Sequence, residues 1–191
     1  MTGGAEMKIN IVRNKRRKHI AFSVEAGGII NVRAPYGISE KQIKEILHKH
    51  EEWILKQLQI EEEKAKERSC LPKLSGAERE ALGKEAARLI PQRVRYYATM
   101  LDVEYGRITI RCQKTRWGSC SARGNLNFNC LLMLAPPEVL DYVVVHELCH
   151  RKEMNHSKAF WAEVEKILPD YRKAKGWLTE HGGELMARWH A

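Results

Sequence analysis

Between Tyr142 and Ser157 the chain reads YVVVHELCHRKEMNHS, and no other stretch limits its fold and chemistry so tightly. His146 and His150 are four residues apart, so on a helix they stand one above the other on the same face. Two imidazoles so placed take neighbouring corners of a tetrahedral metal site, for which zinc is the usual ion. Glu147 lies about 100° further round the helix. It is badly aimed at the ion itself and well aimed at a water beside it. Two ligands, one base and one open position are the layout of a metal-dependent hydrolase. A shuffled chain of this composition would contain His-Glu-x-x-His with a probability of roughly 4%, and a third histidine at one fixed position lowers that to roughly 0.2%. Tyr142 to Val145 make an apolar approach, and Leu148 falls opposite the two histidines, where a core belongs.

The third ligand is expected at His156. The chain has to leave the helix and fold back, and Asn155 is the expected turning point because Asn tolerates the left-handed conformation. Ser157 then caps a helix starting near Lys158. Glu163 and Glu165 are the rival third ligands, supplied from that following helix. His146, His150 and His156 share the spacing of the long metzincin motif, with Glu153 where that motif has glycine.

The wider pattern carries a family resemblance. Arg116-Trp117-Gly118-Ser119-Cys120-Ser121, then Asp141 to His150, Asn155-His156-Ser157 and Phe160-Trp161 resemble the YgjP-like metallopeptidase domain, a zincin related to the SprT-like and WLM metallopeptidases. The resemblance runs from about Arg13 to Leu178 and is densest from Lys114 to Tyr171. It implies that His146, His150 and His156 are zinc ligands and that Glu147 is the general base. The fold expected is α+β: a zincin-like core of antiparallel strands plus the His-Glu-x-x-His helix, preceded by a small β-sheet and a long helix.

Periodicity distributes these elements along the chain. Lys8 to Val12, His19 to Val24 and Ile29 to Ala34 alternate as strands of a small antiparallel sheet, with a turn at Gly27-Gly28. The turn after the first strand collects Arg13, Lys15, Arg16, Arg17 and Lys18. It reads equally as an edge for phosphates or as a charged hairpin that discourages edge pairing. Ser39 caps a long helix from Glu40 to about Arg68. Residues 69–76 form the linker between an N-terminal unit, 1–68, and the catalytic unit, 77–191. A second helix runs from Ala77 to Leu101 through Pro91, which removes a backbone donor there. Arg107 to Gln113 and Asn125 to Cys130 pair as strands, joined through the Trp117-Gly118-Ser119 loop.

A strand before the metal helix offers its edge to an extended peptide. Arg116, Trp117 and Gly118 are therefore the candidate substrate contacts, although Trp117 suits a core position better. Tyr142, Arg116 and Tyr171 are the candidate oxyanion donors. After the metal helix, opened by Pro136-Pro137, come a helix from Lys158 to Leu168 and a shorter segment from Tyr171 to Leu178. Gly182-Gly183 then sets off a tail, with His181 and His190 as surface residues.

Composition bounds the setting. The net charge of +9 favours an acidic partner, a nucleic acid or a nucleotide, beside the peptide or protein substrate. The five cysteines are odd in number and lack a Cys-x-x-Cys pair, which argues against a secreted disulfide framework and for a cytoplasmic protein. Cys149 reads as a small packing residue. No apolar run approaches the ~20 residues that span a bilayer, and no signal peptide opens the chain. The function expected is zinc-dependent peptide hydrolysis with a single ion, other first-row divalent metals also suiting a three-histidine site. The alternatives are hydrolysis of nucleotides or phosphate esters, and a DNA-associated zinc protease.

Overall fold

Local chain chemistry sets the helix starts. Ser39 and Ser75 each accept a hydrogen bond from the backbone three residues on, and Gln42 and Glu78 reach back to the cap N–H, giving two capping boxes. The computed structural model describes residues 8–25, 27–113 and 115–189, so the expectations for the first six residues, Lys114 and His190 fall outside it. The chain divides into two compact units, residues 1–70 and 71–191.

The first unit holds β1 (Lys8–Arg13), β2 (Ala21–Glu25), β3 (Ile29–Ala34), α1 (Glu40–Lys49) and α2 (Glu51–Cys70). Ile30, Val32 and Ala34 of β3 face Ile43, Leu47, Ile54 and Leu58 of the helices in one apolar cluster. The sheet is mixed, not antiparallel: its order is β1-β3-β2, with β1 parallel to β3. The basic turn thus joins strands that do not pair, so it is a crossover and not a hairpin. Arg13 is taken up structurally, its guanidinium donating to the carbonyls of Pro35, Tyr36 and Ile38. The single long helix expected here is broken at His50, where φ −111° and ψ 17° end α1. Phe22 packs against the His50 and Trp53 rings at that break, at 5.4 and 5.5 Å.

The second unit begins with α3 (Gly76–Leu101), which runs through Pro91 and ends at Asp102 in the left-handed conformation. Residues 71–75 precede it, and Leu74 is buried with its N–H donating to Arg188 O. Strands β4 (Ile108–Arg111), β5 (Gly118–Cys120) and β6 (Leu126–Asn129) lie in the order β4-β6-β5. This sheet too is mixed, with β4 parallel to β6 and only β5 antiparallel to it. The expected loop Trp117-Gly118-Ser119 therefore carries an edge strand of its own. The parallel register puts Arg111 opposite Asn129, which makes the next residues, Cys112 and Cys130, neighbours. They form a disulfide with Cα atoms 5.5 Å apart, a pair that their spacing did not announce.

A 3₁₀ turn (Cys130–Leu134) leads to α4 (Pro137–Cys149), α5 (Lys158–Ile167) and α6 (Tyr171–Trp189). Proline at the first position of α4 suits a helix start, since its missing N–H would be unpaired there anyway. The core gathers α3, β6, α4 and α5 around Val94, Phe128, Val144, Leu148, Phe160 and Val164, all essentially buried. Helix α6 continues straight through Gly182-Gly183, where a break and a separate tail were expected. The reason is contact: a Cβ on Gly182 would stand 3.1 Å from the Trp117 ring. Glycine here lets an indole lie against the helix. Among the described residues no helix is long and apolar enough to cross a membrane.

Candidate metal centre

Helix α4 is apolar on nearly every side, because α3, α5, α6 and the second sheet surround it. Its buried flanks fix the azimuth of the polar residues. His146 and His150 emerge together at the C-terminal end, and the chain leaves the helix immediately afterwards through turns at Arg151 to Glu153. The reversal comes at Met154 and Asn155 without a left-handed residue; among the described non-glycine residues only Asp102 has positive φ. Ser157 caps α5 by accepting from Phe160 N–H, as expected. That cap holds His156 against the two helical histidines.

The three rings converge. His146 Nε2 and His156 Nε2 are 3.0 Å apart, and one nitrogen from each of His146, His150 and His156 lies within 4.8 Å of the others. The buried Phe160 ring lies 4.7 to 4.9 Å from all three imidazoles and sets their tilt. His150 Nδ1 is 3.0 Å from Glu153 O, which fixes the proton on Nδ1 and leaves Nε2 with its lone pair for an ion. Burial first, then His150, His156 and Lys175, push the His146 pKa down to about 3, so this ring is neutral. Nitrogen ligands about 2.0–2.1 Å from a tetrahedral ion are separated by about 3.4 Å, so the His146–His156 gap nearly matches one edge of such a site. The donor set fits a borderline divalent cation. The rivals are engaged elsewhere: Glu163 pairs with Lys152 at 2.8 Å and Glu165 with Arg172 at 2.7 Å.

Glu147 is 5% exposed, and burial alone pushes its carboxyl up to about 8. Its carboxylate lies against Gly118 so closely that a Cβ there would sit 2.6 Å from Oε1. Gly118 of the edge strand and Glu147 of the helix are therefore in direct contact. Asn129 holds that strand in place. It is buried, and its Nδ2 donates to Gln113 O at 2.8 Å and Arg116 O at 3.0 Å. Sequence reading passed over Asn129; the signal was a polar residue inside the apolar run LNFNCLLML.

Two depressions share Arg116, Gly118, His146 and Glu147. One continues past Ser119, Cys120, His150, Met154 and His156. The other continues past Thr115, Trp117, Tyr142, Val143 and Leu178. Arg116 is exposed on the rim between them, and Trp117 is half-buried between α6 and the site. Tyr142 is buried beside His146 at 5.8 Å and stacks on Tyr171 at 6.3 Å. Burial, then Tyr171 and Glu147, push its hydroxyl up to about 12, so it keeps its proton. Cys149 is fully buried in the core, and Cys120 lines the first depression as a free thiol.

The sequence profile of the YgjP-like metallopeptidase domain matches residues 18–78 and 72–181. Among solved structures, the chain is similar to the metallopeptidase zymogens abylysin of Pyrococcus abyssi and jannalysin of Methanocaldococcus jannaschii. Each is 23% identical over 48% of this chain and 94% of its own, with TM-scores of 0.44 and 0.43. Among curated proteins none matches. A family profile matching most of the chain, over a three-histidine cluster beside a buried glutamate, leaves one conclusion: the chain belongs to the YgjP-like family of metallopeptidase domains.

Proposed function

We propose that this metallopeptidase cleaves extended protein segments laid along β5, with one zinc ion held by His146, His150 and His156 and with Glu147 as general base. The observation that carries the reading is the convergence of three imidazole nitrogens beside a buried carboxyl that, among the described residues, has no cationic side chain against it. Three neutral nitrogen ligands suit zinc, and the same donors also accept neighbouring first-row ions.

Strand β5 supports the substrate's path. Trp117 O accepts from Asn129 N–H, and Ser121 N–H donates to Asn125 O. Antiparallel alternation then leaves the N–H and C=O of Gly118 and Cys120 for the open edge. An extended peptide pairs there through its main chain, so the sequence requirement from this contact is weak. Gly118 brings that main chain to the Glu147 carboxylate, and Arg116 lies over both depressions as a substrate contact. Trp117, half-buried, lines the second depression as a further substrate contact.

A bound zinc ion supplies Lewis acidity, lowering the pKa of water to about 7 and polarising the scissile carbonyl. Glu147 takes the proton from the attacking water as its oxygen bonds to the carbonyl carbon. It then delivers that proton to the departing amine as the C–N bond breaks. Tyr142 and Arg116 are the donors available for the developing oxyanion. The test joins metal analysis of the untreated protein to cleavage of unstructured peptides with and without chelator. Metal at one equivalent and chelator-sensitive cleavage support the reading; cleavage insensitive to chelator overturns it.

A second reading rests on charge. Lys15, Arg16, Arg17 and Lys18 have no ion-pair partner among the described residues, which favours a nucleic acid or nucleotide as an additional partner. Chelator-sensitive release of phosphate from nucleoside triphosphates would replace the peptidase reading, and salt-dependent DNA binding would extend it. For location, the free thiols of Cys70, Cys120 and Cys149 support the cytoplasm. The Cys112–Cys130 bond speaks for an oxidising compartment. Counting free thiols in protein quenched directly from cells decides between them.

A further inference from the structure

The two depressions beside Glu147 are chemically unlike. The one past Cys120 is bordered by the polar His150 and His156 and by Ser119. The one past Trp117 is an open depression of about 260 Å³ whose share not held in common is Thr115 and the apolar Trp117, Tyr142, Val143 and Leu178. That is below the size of a pocket for a drug-sized ligand and suits a single side chain. Its walls are fixed. Val143 is 3% exposed at the floor, Tyr142 is stacked on Tyr171, and Trp117 is wedged against Gly182.

Helix α6 supplies the remaining wall. Tyr171, Ala174, Leu178, Gly182 and Leu185 follow one another at intervals of three and four, so they share one face. Four of them are buried. Leu178 alone stays half-open, at the point where this face passes the catalytic residues. An isobutyl group left uncovered between an indole and a phenol is a surface that another apolar group can cover.

The direction of the substrate follows from β5. This strand is already antiparallel to β6, and an antiparallel addition is slightly the more stable. A peptide antiparallel to β5 runs from the Cys120 end to the Gly118 end. Its C-terminal half then passes Trp117. We propose that the depression between Trp117, Tyr142, Val143 and Leu178 is the specificity pocket of the site, taking one large apolar side chain from the residue whose amino group is released. This rests on the peptidase reading above, whose zinc site and base it leaves unchanged.

The test uses the full-length zinc-loaded protein and a peptide set varied only at the residue after the scissile bond. Phe, Leu and Met are expected to be cleaved at least 10-fold faster, as kcat/KM, than Ala or Asp. Leu178→Arg should lower the Phe-to-Ala ratio at least 10-fold and raise cleavage of the Asp peptide. Leu178→Ala, a milder change that removes apolar surface without adding charge, should lower the same ratio by a smaller factor. The same peptides are titrated by calorimetry into zinc-loaded Glu147→Gln protein, with and without Leu178→Arg, to read the pocket without turnover. Cleavage with no apolar preference, or with a preference that both Leu178 variants leave intact, overturns the pocket and spares the peptidase reading. No cleavage, but Leu178-dependent binding of the Phe peptide, upholds only an apolar side-chain site at Leu178 and overturns both its assignment to the residue that gives up its amino group and the peptidase reading. No cleavage and no such binding overturn both.

Discussion

The two sheets of this protein are wired alike. Each has three strands in which the first is parallel and the second antiparallel to the third, giving β1-β3-β2 and β4-β6-β5. Even a pairing recurs: Ser23 stands opposite Asn31 in one sheet, and Ser119 opposite Asn127 in the other. Aligned on that pair, the residue before the serine is Phe22 in the first sheet and Gly118 in the second. Phe22 fills space against His50 and Trp53, whereas Gly118 vacates space for Glu147. Topology is thus common to a sheet that borders the histidine cluster and a sheet that does not. The difference lies in which helix lies behind the edge strand and in whether the strand yields room to it.

The largest effect on that contrast comes from removing the ion. His150→Ala deletes one of the three clustered histidines proposed as ligands, together with its Glu153 anchor, so the protein should purify without metal and cleave nothing. Chelator should do the same to the wild type, reversed by added zinc. Residual metal at one equivalent in His150→Ala, measured by atomic emission, would place the ion elsewhere.

Glu147→Gln comes next. It keeps the shape of the side chain and removes the carboxyl proposed as the base, so turnover should fall about 10²- to 10⁴-fold with metal retained. Its pH behaviour without metal is equally telling. Burial holds the Glu147 carboxyl at about 8 in the folded chain, against an ordinary 4.5. Between these values the folded state binds more protons than the unfolded one, so stability is lost as pH rises through that window. Glutamine has no such dependence. Metal-free Glu147→Gln should therefore match the wild type at acid pH and exceed it by about 3 kcal/mol at pH 7 in urea unfolding. A constant difference across pH would mean that the carboxyl is solvated.

How much of this is legible in the chain depends on range. The metal helix, the Ser39 and Ser157 caps and the arrival of His156 rest on residues within a few positions of one another, where spacing specifies direction. The mixed sheets do not, because parallel pairing of β4 with β6 is decided by the core beneath them, as is the Cys112–Cys130 bond that follows from their register. The break at His50 depends on Phe22, more than twenty residues away. Gly182-Gly183 looked like an interruption because its reason is the Trp117 ring, distant in sequence. Asn129 and Leu178 were hidden likewise: each acts through a segment that becomes its neighbour only in the folded chain.

Gly118→Ala tests the contact between strand and helix itself. The added methyl must overlap Glu147 Oε1 and Cγ, so the carboxylate is displaced while all three histidines stay untouched. A misplacement on the ångström scale costs about 10² in turnover. Zinc content should be unchanged, which separates this variant from His150→Ala. Unaltered kcat would show that Glu147 reaches its water from another rotamer.

The matching change in the first sheet should do least to catalysis. Phe22 is half-buried, so Phe22→Ala should destabilise the first unit by about 2 kcal/mol, somewhat less than a fully buried phenylalanine costs. Turnover at 25 °C should stay within twofold of the wild type, because every group of the metal centre lies in the second unit. Unfolding followed in parallel by hydrogen exchange of the β1–β3 amides and by activity separates the two contributions. Exchange in the first unit should quicken and the loss of activity should not shift. If both move together, the units fold as one, and the first sheet supports the second rather than merely sharing its wiring.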